Sequence, residues 1–226
     1  MAKKALAGNN YYWIDIENAA ETARLIDQDH LISNYLGGLF PASLALPAEG
    51  RVLDIACGAG GWALDVALNY PNFEVVGIDL SATLIQYART FADVRELHNV
   101  TFHMMDVTQS LDFKDASFSF VCARFLSTCI LPETWSFLVR ECKRILDNTG
   151  ILSLNEAEWP LTNSLAFEKL SALASHALWL AGRSFSPNGH HLGITPMLER
   201  FLHNAGYHNI QREVHTLAFL PGTDAY

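Results

Sequence analysis

Basic side chains are scarce in this chain. Its 226 residues include 15 Lys and Arg against 24 Asp and Glu, a formal net charge of −9. A protein that grips nucleic acid usually presents a basic face. Here the basic groups are Lys3-Lys4 and a trio, Arg140, Lys143 and Arg144, diluted by Glu141. Both read as solvated surface, and no nucleic-acid partner is expected. Cysteine is equally sparse: Cys57, Cys122, Cys129 and Cys142 form no CxxC and no His-Cys cluster. Neither a zinc site nor a disulfide framework follows from such spacing, and reduced thiols in a cytoplasmic protein are expected. No apolar run approaches the ~18 residues of a membrane helix, so no membrane partner is expected. Asn9-Asn10 interrupts the N-terminus too early for a signal peptide. There is no internal repeat and no low-complexity segment. What is abundant is apolar surface: 50% of the residues are hydrophobic, enough for one domain with a sizeable core.

The strongest local signal runs from Arg51 to Trp62, Arg-Val-Leu-Asp-Ile-Ala-Cys-Gly-Ala-Gly-Gly-Trp. A short apolar strand carrying Asp54 turns through small residues into a helix. Gly58, Gly60 and Gly61 remove side chains where the backbone must pass close to something, and the following helix aims its first N–H groups at the same spot. A ligand is expected in this turn. Phe73 to Asp79 reads as a second strand ending in an acid, placed to hold a ribose diol. Asn99 to Asp106 reads as a third. From 51 to 156 the order is strand, helix, strand, helix, strand, strand, helix, strand. The strands fall near 51–55, 74–79, 100–104, 117–122 and 150–155, and the helices near 62–69, 81–92 and 133–147. That alternation predicts a parallel sheet with helices on both faces.

Gly58-Ala59-Gly60-Gly61-Trp62-Ala63 also satisfies the dinucleotide pattern G-x-G-x-x-G/A. Two acids weigh against that reading. Asp54 would repel a pyrophosphate but attract an ammonium, and Asp106 has no task on a dinucleotide. Three successive strand-end acids around one glycine turn instead resemble the class I S-adenosylmethionine-dependent methyltransferases. Val52 to Gly60 is similar to that family's first motif, with Ala56 where its first glycine often sits. Leu146 to Leu152 resembles the family's Leu-x-x-x-Gly-x-Leu approach to strand five. The resemblance covers roughly 48 to 156.

The resemblance implies an α/β, Rossmann-like, doubly wound and mostly parallel sheet, with S-adenosylmethionine as cofactor. It implies that Asp54 faces the donor's amino group and Asp79 accepts the ribose hydroxyls. It further implies that Leu80 packs on the adenine and that Asp106, with the Val107 N–H beside it, meets the adenine edge. For Asp106 a helix N-cap is the alternative. Ala123 and Arg124, after strand four, would touch the donor and line the methyl channel. Arg124 is left open between binding a substrate carboxylate and pairing with an acid such as Glu156. Metal-dependent members carry an acid where Arg124 stands, so no metal is expected.

The flanks are less regular. Residues 1–47 are read as an N-terminal helical cover, with a helix over Glu17 to Leu36 and an aromatic patch at Tyr11, Tyr12 and Trp13. Residues 48–226 are read as the methyltransferase core, with a helical lid at about 157–195. In that lid Phe167 to Leu180 is a helix with Leu170, Leu173, Ala174, Ala177 and Leu178 at helical spacing. Met197 to Ala205 is the last helix and Asn209 to Phe219 a sixth strand. The remaining residues cannot supply the family's seventh, antiparallel strand, and a shortened chain is the favoured explanation. Candidates for proton transfer are Glu156, after strand five, and His190 and His191 in a polar loop. A solvated loop acid and a solvated histidine pair are the competing readings. The expected reaction is methyl transfer to a small, largely apolar acceptor, with oxygen favoured. The rival is a non-methylating protein on the same scaffold. A small-molecule acceptor is the expected partner, and a homodimer is left open.

Overall fold

Val52, Leu53 and Ile55 are each at most 1% exposed. Runs of this kind suit a parallel sheet covered on both faces. The computed structural model describes residues 19–160 and 162–217. After helix α1 (Ala19–Tyr35) the chain alternates: β1 (Gly50–Ile55), α2 (Gly61–Asn69), β2 (Phe73–Asp79), α3 (Ala82–Val94) and β3 (Val100–Met104). It continues through β4 (Phe118–Arg124), α4 (Trp135–Ile145), β5 (Leu146–Asn155), α5 (Leu165–Leu180) and α6 (Thr195–Asn204). The strands form one sheet in the order β3-β2-β1-β4-β5, and every pairing is parallel. The chain order reverses beside β1, so the crevice at the carboxyl ends of β1 and β4 is the topological switch point where such sheets bind ligands.

Period-two alternation divides the strands between two cores. Leu53, Ile55, Val76, Ile78, Phe118 and Val121 pack on one face against Trp135, Leu138, Val139, Cys142 and Ile145 of α4. That i, i+3, i+4, i+7, i+10 spacing is one stripe of a helix. Val52, Val75, Phe102 and Phe120 pack on the other face against Trp62, Ala63 and Val66 of α2 and Ile85 and Ala88 of α3. Gly77 is a glycine for steric reasons. A Cβ there would lie 2.5 Å from the Phe102 ring and 3.0 Å from the Cys57 sulfur.

Three expectations need correction. Ile210 to Leu217 form no strand. A strand exists through its ladder partner, these residues have none, and Val214 is 83% exposed; residues 218 and 219 lie outside the described residues, as does the aromatic patch at 11–13. Strand five begins at Leu146 rather than near 150, because a bulge breaks its register between Phe118 and Phe120. Asp147 accepts from the Thr149 N–H at 2.7 Å and the Thr149 hydroxyl at 2.8 Å, making the loop of that bulge. In α5 most of the expected apolar stripe faces water: Leu170 is 63% and Leu173 69% exposed, and of its members only Leu178 is buried.

Candidate active site

The turn after β1 bends back on itself at three left-handed residues, Ala56 (φ 55°), Gly58 (φ 57°) and Gly60 (φ 83°). The glycines answer to different constraints. A Cβ on Gly60 would lie 2.8 Å from the Phe102 ring and 2.9 Å from the Ala88 methyl. A Cβ on Gly58 would meet nothing within 4 Å, so protein packing does not demand a glycine there. It leaves a backbone cradle that a ligand can approach, beside the α2 N-terminus, which carries no side-chain cap from Gly60.

Asp79 ties the cradle to the second strand. Its carboxylate accepts from the Gly58 N–H at 3.0 Å and the Ser81 N–H at 2.8 Å. Burial pushes its pKa up, while the Ser81, Gly58 and Leu80 N–H groups oppose the rise. A carboxylate offers about four lone-pair sites, which leaves capacity for hydroxyl donors. Asp79 pairs with Met104 in the ladder. Leu80 and Met104 are 49% and 63% exposed, an apolar shelf on either side of that acid. Asp106 makes a local turn, accepting from the Thr108 N–H at 2.9 Å and the Thr108 hydroxyl at 2.7 Å. The Val107 and Ala123 side chains are buried in the α4-side core.

Beneath the turn lies a buried charge cluster. Asp54 is 3% exposed and its carboxylate takes the Ala63 N–H of α2. Burial pushes its pKa up to about 8, against the pull of Arg124. Arg124 pairs not with Glu156 but with Asp29 of α1, at 2.7 Å, and reaches the Ser33 hydroxyl at 3.3 Å. Asp29 also takes the Trp62 N–H, and a Cβ on Gly61 would lie 2.5 Å from its Oδ2. Asp29 therefore caps α2 from a neighbouring helix, and Gly61 is glycine to admit it.

These features, a ligand-ready glycine turn at the switch point and acids at successive strand tips, coincide with a match to the family described as "methyltransferase domain", over residues 52–150. Over those residues the chain is similar to the class I S-adenosylmethionine-dependent methyltransferases. Methyltransferase str2 of Strobilurus tenacellus is 30% identical over 151 residues, 65% of this chain and 50% of that protein. Secondary metabolism regulator laeA of Coprinopsis cinerea is 26% identical over 182 residues, 77% of this chain and 43% of that protein. This chain thus spans about half the length of the curated relatives it matches. A SAM-dependent methyltransferase from Aquifex aeolicus has the same fold, with a TM-score of 0.55 at 16% identity, covering 85% of this chain and 88% of that one.

The segments that follow β4 and β5 are held by carboxylates. Glu156 accepts from the Leu126 N–H at 2.6 Å, the Ser127 N–H at 3.1 Å and the Ser127 hydroxyl at 2.6 Å. It thereby holds the short 3-10 helix Leu126–Thr128 that follows β4. Burial pushes its pKa up to about 7, against those hydrogen bonds. His190 and His191 are exposed. His191 Nδ1 lies 3.3 Å from the Ser186 hydroxyl, and neither histidine reaches the glycine turn by any hydrogen bond among the described residues. Glu158 is an anchor that pattern reading passes over. Its carboxylate accepts from the N–H groups of Leu192 (3.1 Å), Gly193 (2.9 Å) and Thr195 (3.2 Å), fixing the loop into α6. No group of three or more His, Cys, Asp or Glu among the described residues is arranged to hold a metal.

Proposed function

We propose that the domain methylates an oxygen of a small, largely apolar molecule by in-line displacement. When bound, S-adenosylmethionine supplies a methyl group on a sulfonium, already a good leaving group. The chain's own contribution is alignment and exclusion of water. The Gly58 backbone admits the donor, Asp79 accepts its ribose hydroxyls, and Leu80 with Met104 flanks its base. Asp106 and the Val107 N–H are proposed at the base edge, and Ala123 with Arg124 at the mouth of the methyl channel. Residues 1–47 act as the cover, through α1, and 157–195 as the lid, through α5 and the loop into α6. The observation that carries this reading is the open cradle at Gly58 beside a half-buried strand-tip carboxylate.

Titration with S-adenosylmethionine, S-adenosylhomocysteine and NAD tests the donor half. Binding of the first two without the third is expected. Incubation with S-adenosylmethionine and simple phenols then tests the transfer, read as S-adenosylhomocysteine formed. Binding of NAD in preference, or no product from any hydroxyl acceptor, would reject the proposal.

A second reading has specific support. Glu156 is occupied by three donors, and a curated relative is named a regulator of secondary metabolism. On that reading the domain binds the donor without spending it, and its lid surface guides another reaction or a partner. Donor binding with no demethylated product would favour it.

A further inference from the structure

A cavity of about 430 Å³ lies between α5, the segment after β5 and the loop into α6. Two of its wall residues carry polar atoms with no partner: the indole N–H of Trp159 and the hydroxyl of Ser175. Ser175 is 1% exposed. A buried polar group left unpaired costs about 1–3 kcal/mol, so two at one cavity call for an occupant. The carboxylate of Glu158 is spent on backbone N–H groups. Glu168, His190 and His191 complete its ionisable wall, and proline and alanine side chains supply flat apolar surface.

We infer that this cavity takes a neutral, flat molecule through a phenolic or carbonyl oxygen, which accepts from Trp159 and pairs with Ser175. The indole N–H only donates, so an ammonium offers it nothing. A carboxylate would face two acids of its own sign. A neutral oxygen satisfies both orphaned groups. Both atoms are closed to water, so the ligand enters as α5 swings outward. That helix is secured by two buried residues, Ser175 and Leu178, and segments with few buried contacts open at low cost. Naming this ligand as the methyl acceptor rests on the methyl-transfer reading above.

The test titrates the full chain, isotope-labelled at indole nitrogen, with p-cresol, benzylammonium and benzoate, with and without S-adenosylhomocysteine. Only p-cresol should shift the Trp159 indole resonance saturably. Ser175→Ala, read by that resonance, and Trp159→Phe, read by calorimetry, should each weaken p-cresol binding about fivefold, the worth of one hydrogen bond. Ser175→Ala should melt no lower than the parent, which separates a lost ligand contact from a lost fold. An unmoved indole resonance, an affinity in either variant equal to the parent's, or preference for benzylammonium would overturn the inference. If p-cresol binds as described and S-adenosylhomocysteine does not, the cavity assignment stands and the methyl-transfer reading falls. If only S-adenosylhomocysteine binds, the cavity assignment falls alone.

Discussion

Replacing Asp29 with alanine should be among the costliest single changes on α1. The Arg124 side chain is 7% exposed and that of Asp29 21%, so water screens their pairing little. Removing one member of a buried ion pair costs about 3–5 kcal/mol, because the other charge stays behind. Ser33 remains as a polar neighbour for Arg124, which places this loss near the lower end. The Trp62 N–H also loses its acceptor, worth about 1 kcal/mol for a helix cap. The total is about 4 kcal/mol, a large share of the ~5–15 kcal/mol of a typical domain. Asp29→Asn keeps an acceptor for Trp62 and should cost about 3 kcal/mol. Urea unfolding of both variants, of Arg124→Met and of the Asp29→Ala/Arg124→Met double variant measures the terms. The double variant should cost less than the sum of its singles, since it leaves no stranded charge. A loss below about 1 kcal/mol for Asp29→Ala, or strict additivity, would refute the account of α1 as a helix locked down by buried charge.

Three further outcomes are expected. Gly58→Ala should cost about 1–2 kcal/mol of stability from its left-handed backbone but abolish most donor affinity; calorimetry that finds donor binding intact would remove Gly58 from the site. Asp79→Ala should weaken donor binding by about 2 kcal/mol or more, since ribose hydroxyls and the Gly58 tether lose one acceptor together; unchanged affinity would sink the ribose assignment. Burial pushes the Asp54 pKa up to about 8, which favours its protonated form at neutral pH. The donor's ammonium favours its ionised form, so binding should release a proton and weaken as pH falls below 8, approaching tenfold per pH unit. Affinity flat between pH 6 and 7, or heats independent of buffer ionisation, would contradict this.

The strands of the sheet were legible because each is a short apolar run with its own turn chemistry. Asp29 was not. It meets Arg124 across 95 positions from a helix whose apolar stripe is weak, and the one trace it leaves in sequence is a glycine at 61. Glu156 was found by its place after a strand, yet its hydrogen bonds to a 3-10 turn lie beyond any pattern. The sixth strand failed for a related reason. Ile210 to Leu217 have strand composition, but a ladder depends on a neighbour that a single segment cannot announce. Likewise the exposed leucines of α5 have helical spacing, and spacing does not say whether anything packs on the stripe.

Phe102 sets the terms for two glycines at once, Gly60 in the turn and Gly77 in β2. A smaller residue at 102 would therefore relax position 77, and a homologous chain with a side chain at 77 should show a reduced residue opposite it; position 60 stays constrained by the Ala88 methyl and its left-handed backbone. Gly58 has no such counterpart. Since no atom of the described residues lies near the space its side chain would take, no second-site change among them can compensate for filling it. The two glycines of one turn thus answer to different neighbours: Gly60 to side chains of α3 and β3, and Gly58, on the proposed reading, to a molecule the gene does not encode.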